Sequence, residues 1–374
     1  MAIRQPKVAS RSEVARAVSD PMETKMTAGR NSSLRNGSVE LLRCILMFNI
    51  VLWHCWRHGP FWGHSIVLAV LFSLLLWHVD CFIAISGWFG MKFRIEKFLR
   101  IYGLIVFYSL IGSFIAVFVH HKDWSVKDFV VWGTWFPQSY LGLMLIAPLI
   151  NRLVDSLSKE SVKERILAWA GVAAVMLSSW IPNVFGFRPS GVGSTTLALL
   201  VSVYFTARLL RLSIQVPISK RILQFFIGGG CFFSVLISFL LAIGLRSHAK
   251  VETCIWAFNQ YVAPHTALMA VSVLLLFVWH IRVPDSIANV CRFIGPSMLG
   301  VLLAHCCIPG VQGWALATAQ NWVVAKDSSF KMGLVVVLGA ALTFVVSLLV
   351  DLVRRLVLRC LMMMGALIFK RSKL

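Results

Sequence analysis

Residues Val39 to Gly59 read VELLRCILMFNIVLWHCWRHG, an apolar run with Glu40, Arg43, His54 and His58 set into it. Its length matches the ~20 residues an α-helix needs to cross ~30 Å of hydrocarbon. Ionisable groups at that depth cost at least ~2.5–3.5 kcal/mol for Arg or Asp, so each needs a partner or a function. With Arg43 at zero and ~100° per residue, Glu40 falls at about −60°, His54 at about +20° and His58 at about +60°. All four share about one third of the circumference, and Arg43 and His54 stand about 16–17 Å apart along the axis. One face thus presents a cation towards the inner end and an imidazole in the outer half. Plainer readings of the same residues remain: Arg43 snorkels or pairs with Glu40, and His54 hydrogen-bonds another span.

Outward from this stretch the apolar pattern recurs. Spans are predicted at 39–57, 65–87, 98–119, 129–150, 166–182, 195–212, 222–245, 262–281, 293–316 and 332–352. The fold class is therefore an all-α integral membrane protein, a bundle of about ten transmembrane helices. Pro137 and Pro148 in the fourth span, and Pro296 and Pro309 in the ninth, predict broken helices. Such breaks survive at membrane depth only where protein or a wet cavity satisfies the freed backbone, which points to a central polar cavity. Residues 1–38 are polar and read as a disordered cytoplasmic N-terminal tail, 39–352 as the membrane domain and 353–374 as a basic cytoplasmic C-terminal tail. Within that tail Cys360–Phe369 is apolar but too short to span, and reads as an interfacial segment.

Composition agrees. Hydrophobic residues make up 58% and charged ones 14%, with a mean hydropathy of +0.80. Thirty-six Lys and Arg against fifteen Asp and Glu give +21. In a soluble protein that excess would suggest nucleic acid. Here the charges border apolar runs, so they read as topology signals and lipid-headgroup contacts, with no nucleic-acid partner. With the N-terminus inside, 27 Lys and Arg fall on the inner side and 8 on the outer. The expectation is a multi-pass protein of the cell's inner, cytoplasmic membrane with both termini cytoplasmic.

None of the nine cysteines forms a CxxC, and the adjacent Cys306 and Cys307 have poor ligand spacing. His120 and His121 sit in a loop, and His265 and His280 are isolated. No metal site is expected. Nucleotide and phosphate-loop signatures are absent, as is a Gly-x-Ser-x-Gly elbow.

Arg43 and His54, with ten residues between them in the first span, resemble the acyltransferase-3 family of membrane-bound O-acyltransferases, marked by Arg-x10-His. Arg35-Asn36 followed by VELLR, and HCWRHG at 54–59, resemble its branch found in surface-polysaccharide gene clusters. DCFIAISG at 80–87 is similar to the family's Asp-x-Phe-Phe-x-x-Ser-Gly. WFPQSYLGLMLIAPLIN at 135–151 and SMLGVLLAH at 297–305 resemble two later segments. Trp53 stands where the branch often has a first of two adjacent histidines.

The resemblance implies transfer of an acyl group, commonly acetyl, from cytoplasmic acyl-CoA to a hydroxyl of a cell-surface or lipid-linked glycan. Acyl-CoA, acetyl-CoA in the first instance, is then a donor substrate, and no bound cofactor is expected. Partners are the lipid bilayer, the glycan or lipid-linked saccharide acceptor, and glycan-assembly proteins. His54 is the expected base, with an unperturbed pKa of about 6.5 suited to a hydroxyl proton near neutrality. Arg43 and Asp80 complete the expected catalytic group, Asp80 orienting an imidazole or pairing with Arg43. A charge pair that fixes helix register is the plainer account of Asp80. Arg94, Lys97 and Arg100 in the basic run after the second span are expected to bind acyl-CoA; positive-inside anchoring also explains them. Glu40, His58, Trp135, Tyr140 and His305 are expected on the supporting or acceptor side. The competing reading is a transporter or flippase of a lipid-linked glycan, with Arg43, His54 and Asp80 lining its path.

Overall fold

The break in the second span shows how this bundle manages its backbone. Helices α1 (Gly37–Arg57), α2 (Ile66–Ser73) and α3 (His78–Phe89) follow one another, and α2 and α3 together form one span. Between them the N–H groups of Leu75, Leu76 and His78 turn to the carbonyls three residues back, at 3.1–3.2 Å. The imidazole Nδ1 of His78 donates to the same Leu75 carbonyl that its own backbone N–H reaches, so a side chain reinforces the break at membrane depth. No Pro or Gly marks this break, and the chain pattern alone predicts an unbroken helix there.

The computed structural model describes residues 36–62, 64–119, 121, 135–157, 159–184, 197–214, 216–244, 248–261, 263–323 and 328–371. The described residues are helical, without a strand. After α3 come α4 (Ile95–Phe118), α5 (Trp135–Leu157), α6 (Val162–Val184), α7 (Leu197–Ser213) and α8 (Lys220–Gly244). Then follow α9 (His248–Phe258), α10 (Pro264–Trp279), α11 (Asp285–Ile294), a 3₁₀ turn (Gly295–Ser297), α12 (Met298–Cys307), α13 (Val311–Trp322) and α14 (Ser329–Arg371). The chain divides into Met1–Asn36 and Gly37–Leu374. Most of the expected 1–38 tail lies outside the described residues, as do Lys122, Lys127, Arg188, Arg246 and Lys326 of the charge count.

Seven helical runs are long and apolar enough to cross a bilayer: Gly37–Arg57, Ile66–Phe89, Ile95–Phe118, Trp135–Leu157, Lys220–Gly244, Asp285–Cys307 and Ser329–Met364. Pro264–Trp279 is a shorter apolar helix. The predicted fifth and sixth spans correspond to α6 and α7, which are not among the seven. The protein is an all-α, multi-pass membrane protein. Its outside is apolar, with Phe107, Leu110, Phe114 and Phe118 exposed on α4 and Phe225, Phe232 and Phe239 on α8. That surface is a liability in water and ordinary in lipid.

Two expectations change. The fourth span is not broken: α5 runs through Pro148, and Pro137 sits in its first turn, where N–H groups have no intrahelical partner. The described residues after 352 do not leave the helix of the tenth span. They prolong α14, whose 43 residues reach about 64 Å at ~1.5 Å each, twice the hydrocarbon thickness. The ninth span is broken as expected, by the turn at Gly295–Ser297 and again where Gly310 takes φ +87° before α13.

Helix α1 is the axis of the bundle. It packs on α3, α10, α11, α12 and α14, and its buried residues run from Gly37 to Trp56. Association in lipid depends on close packing, which small residues permit. An added Cβ at Gly87 would collide with the Tyr204 carbonyl on α7, and one at Gly112 with the Cys307 carbonyl on α12. These glycines let α3 approach α7 and α4 approach α12.

Under the orientation expected from the charge count, with both termini cytoplasmic, the turn after α1 would face out. A cysteine introduced at the exposed His64 is then expected to react with an impermeant thiol reagent in intact cells. Labelling only in inverted vesicles would reverse the orientation.

Candidate functional site

In the C-terminal half of α1, His54 meets the end of α12, 251 residues away in sequence. Nδ1 of His54 and Nε2 of His305 share a hydrogen bond of 2.8 Å. The other nitrogen of His305, Nδ1, lies 2.8 Å from the carbonyl of Val301 one turn back. His305 is 5% exposed, whereas His54 is half-buried. Cys306, exposed at the end of the same helix, places its Sγ 3.6 Å from His54 Nδ1. The His58 ring stands 5.8 Å from that of His54, and His78 lies within electrostatic reach. Four imidazoles thus converge from α1, the turn beyond it, α3 and α12.

His54, His305 and Cys306 hold their donor atoms within 4.8 Å of one another. Two imidazole nitrogens on one tetrahedral zinc at ~2.0–2.1 Å stand about 3.3 Å apart. The observed 2.8 Å is a hydrogen-bond distance. The expectation of no metal rested on spacing along the chain, and the fold assembles this donor set from residues that spacing could not connect.

Aromatic rings continue the site from His78. Its ring is 5.8 Å from that of Tyr261, which is 5.7 Å from the ring of Trp135 at the start of α5. One turn on, Tyr140 stacks on Phe136 and shares a 3.4 Å hydrogen bond with Ser86 of α3. Asp80 is 1% exposed and within electrostatic reach of Tyr261. It makes no hydrogen bond or ion pair with His54 or Arg43. On α3 its side chain projects into the packed interior, and the histidine that meets His54 comes from α12 instead.

Near the start of α1, Arg43 donates to Glu40 one turn earlier. Glu40 is 1% exposed and the Arg43 side chain 29%. Gly295 leaves room for the Glu40 carboxylate, since a Cβ there would collide with it. The helix-start pair is therefore real, and it holds the guanidinium on the helix face that carries His54.

The turn into the basic run is clamped by a ring of hydrogen bonds. Met91 N–H donates to the Tyr204 hydroxyl at 2.7 Å, Tyr204 donates to Asn151 at 2.9 Å, and Asn151 donates back to the Met91 carbonyl at 2.9 Å. Gly90 takes φ +69° beside the Arg208 guanidinium, which pairs with Asp155 at 3.0 Å. Arg211 lies over Trp88 at 5.2 Å. Arg94, Lys97 and Arg100 are all exposed on this anchored segment, with Arg94 3.8 Å from Glu96. The structure sets them at the rim and brings none of them to His54.

The structure therefore unites His54, His58 and His305, and joins Trp135 to them through Tyr261 and His78. Reading the chain missed His78 and Cys306. His78 satisfies the same criterion that singled out His54, an imidazole within an apolar span. Cys306 carried no such signal.

A family model described as an acyltransferase domain matches residues 36–352. No curated protein and no solved structure matches the chain.

Proposed function

Because this chain belongs to the acyltransferase-domain family over residues 36–352, and is a membrane acyltransferase, we propose that it moves an acyl group from cytoplasmic acyl-CoA to a glycan hydroxyl. The acyl group is acetyl, and the acceptor is a cell-surface or lipid-linked saccharide presented at the cytoplasmic membrane. The observation that carries this reading is the half-buried His54, set at membrane depth on the family-matched first helix and braced by His305.

In the proposed reaction His54 takes the proton of the acceptor hydroxyl as its oxygen attacks the thioester carbonyl. The C–S bond breaks, and the departing CoA thiolate recovers the proton from the imidazolium. The product is an ester and free CoA. CoA is polyanionic, so its phosphates suit the exposed Arg94, Lys97 and Arg100 on the clamped rim, with Arg43 further in. Trp135 and Tyr140 offer an aromatic face for the saccharide.

Purified protein given acetyl-CoA and a saccharide acceptor is expected to release CoA in proportion to ester formed. Movement of lipid-linked glycan across vesicles with no consumption of acyl-CoA would replace this reading with transport. A second expectation concerns the rim. Neutralising Arg94, Lys97 and Arg100 together should raise KM for acyl-CoA, with the gap from the parent narrowing as salt increases, and leave kcat nearly unchanged. Reduced insertion with an unaltered KM would make these residues topology signals alone.

A further inference from the structure

The hydrogen-bond chain behind His54 has a direction. A carbonyl oxygen only accepts, so the 2.8 Å contact between His305 Nδ1 and the Val301 carbonyl requires the proton on Nδ1. In the neutral ring His305 Nε2 is then an acceptor. The 2.8 Å bond to His54 in turn requires the proton on His54 Nδ1. The lone pair of His54 is left on Nε2, which engages no partner among the described residues.

We propose that His305 is a positioning residue that locks His54 in the Nδ1–H tautomer, so that Nε2 is the nitrogen that receives the acceptor's proton. The inference rests on His54 being the base and assigns a role to its neighbour. Nothing in the first span can do this work. Arg43 and Glu40 are engaged with each other about three turns away, and a cationic side chain behind Nδ1 would select the other tautomer. The backbone of α12 carries the device. The Val301 carbonyl is one turn before His305, and the helix ends two residues later at Cys307. When His54 becomes an imidazolium it donates through Nδ1 to a neutral imidazole, which steadies the charge without a buried anion.

The test compares His305→Leu with His305→Gln in purified protein. His305→Leu removes the acceptor, and kcat is expected to fall by about 10² or more with KM for acyl-CoA and for the saccharide unchanged. His305→Gln offers an amide oxygen where Nε2 stood and should recover much of that loss. In ¹⁵N-histidine spectra the His54 proton is expected on Nδ1 in the parent protein and on Nε2 in His305→Leu. Full kcat in His305→Leu, or a raised KM with kcat intact, overturns the proposal. So does stoichiometric zinc that His305→Leu releases, because the nitrogens would then be ligands. If His305→Leu is normal while His54→Ala is inactive, only the positioning role fails. If both are fully active, the base assignment itself fails. Should His305→Leu not fold, the Gln variant decides alone: an Nε2–H tautomer of His54 in a Gln enzyme of normal kcat also overturns the proposal.

Discussion

His54→Ala is expected to lower acyl transfer by at least about a hundredfold, the usual contribution of a general base. The protein should still insert, because removing a polar group from a span makes insertion easier. His305 does not replace it. It sits behind His54 on the Nδ1 side, and its own Nδ1 is held by Val301. His58 is exposed beyond the end of α1, and His78 is bound to the Leu75 carbonyl. Imidazole added to the alanine variant is expected to restore part of the activity by occupying the vacated volume. Full acyl transfer by His54→Ala at normal expression would remove the base from α1 and require a different account of the site.

The second large effect concerns stability. Asp351 on α14 is fully buried and accepts hydrogen bonds from Tyr108 of α4 at 3.0 Å and from Arg354 at 2.8 Å. Tyr108 is itself fully buried. Asp351→Ala strips both donors of their acceptor in a place water does not reach. Breaking a buried charged pair from one side costs about 3–5 kcal/mol, and a comparable loss is expected here from unfolding in detergent. Asp351→Asn keeps an acceptor for Tyr108 and should lose less. The damage should extend to the site, because a Cβ at Gly300 would collide with the Asp351 carboxylate, so α12 rests directly on it. His305 is five residues further along that helix. An Asp351→Ala protein as stable as the parent would show that this cluster does not hold α4, α12 and α14 together.

The relation between chain pattern and fold differs from residue to residue. Apolar periodicity determined that the protein is an all-helical membrane protein, since ~20-residue apolar runs leave few other solutions in a bilayer. It also determined the polar face of α1. One continuous helix spans Gly37–Arg57, so the angles and rise between Arg43 and His54 follow from local geometry alone. The partner of Arg43 was within reach for the same reason, Glu40 being one turn away. The break at Leu74–Trp77 was not legible, because no Pro or Gly marks it and a side chain from the following helix stabilises it. The run of α5 through Pro148 was misread for the converse reason, since a local breaker yields where packing supports the helix. The length of α14 follows instead from the Leu, Met and Arg residues beyond Asp351, strong helix formers that stay mostly exposed. Whether Asp80 or His305 hydrogen-bonds His54 depends on how α3 and α12 are rotated about α1. Those rotations are set by close approaches such as Gly87 to α7 and Gly112 to α12, between residues far apart in the chain. Residue types and intrahelical spacing were therefore determined by the sequence, whereas the pairing of His54 with His305 was decided only by tertiary packing. A hydrogen bond across 251 residues has no local periodicity to announce it.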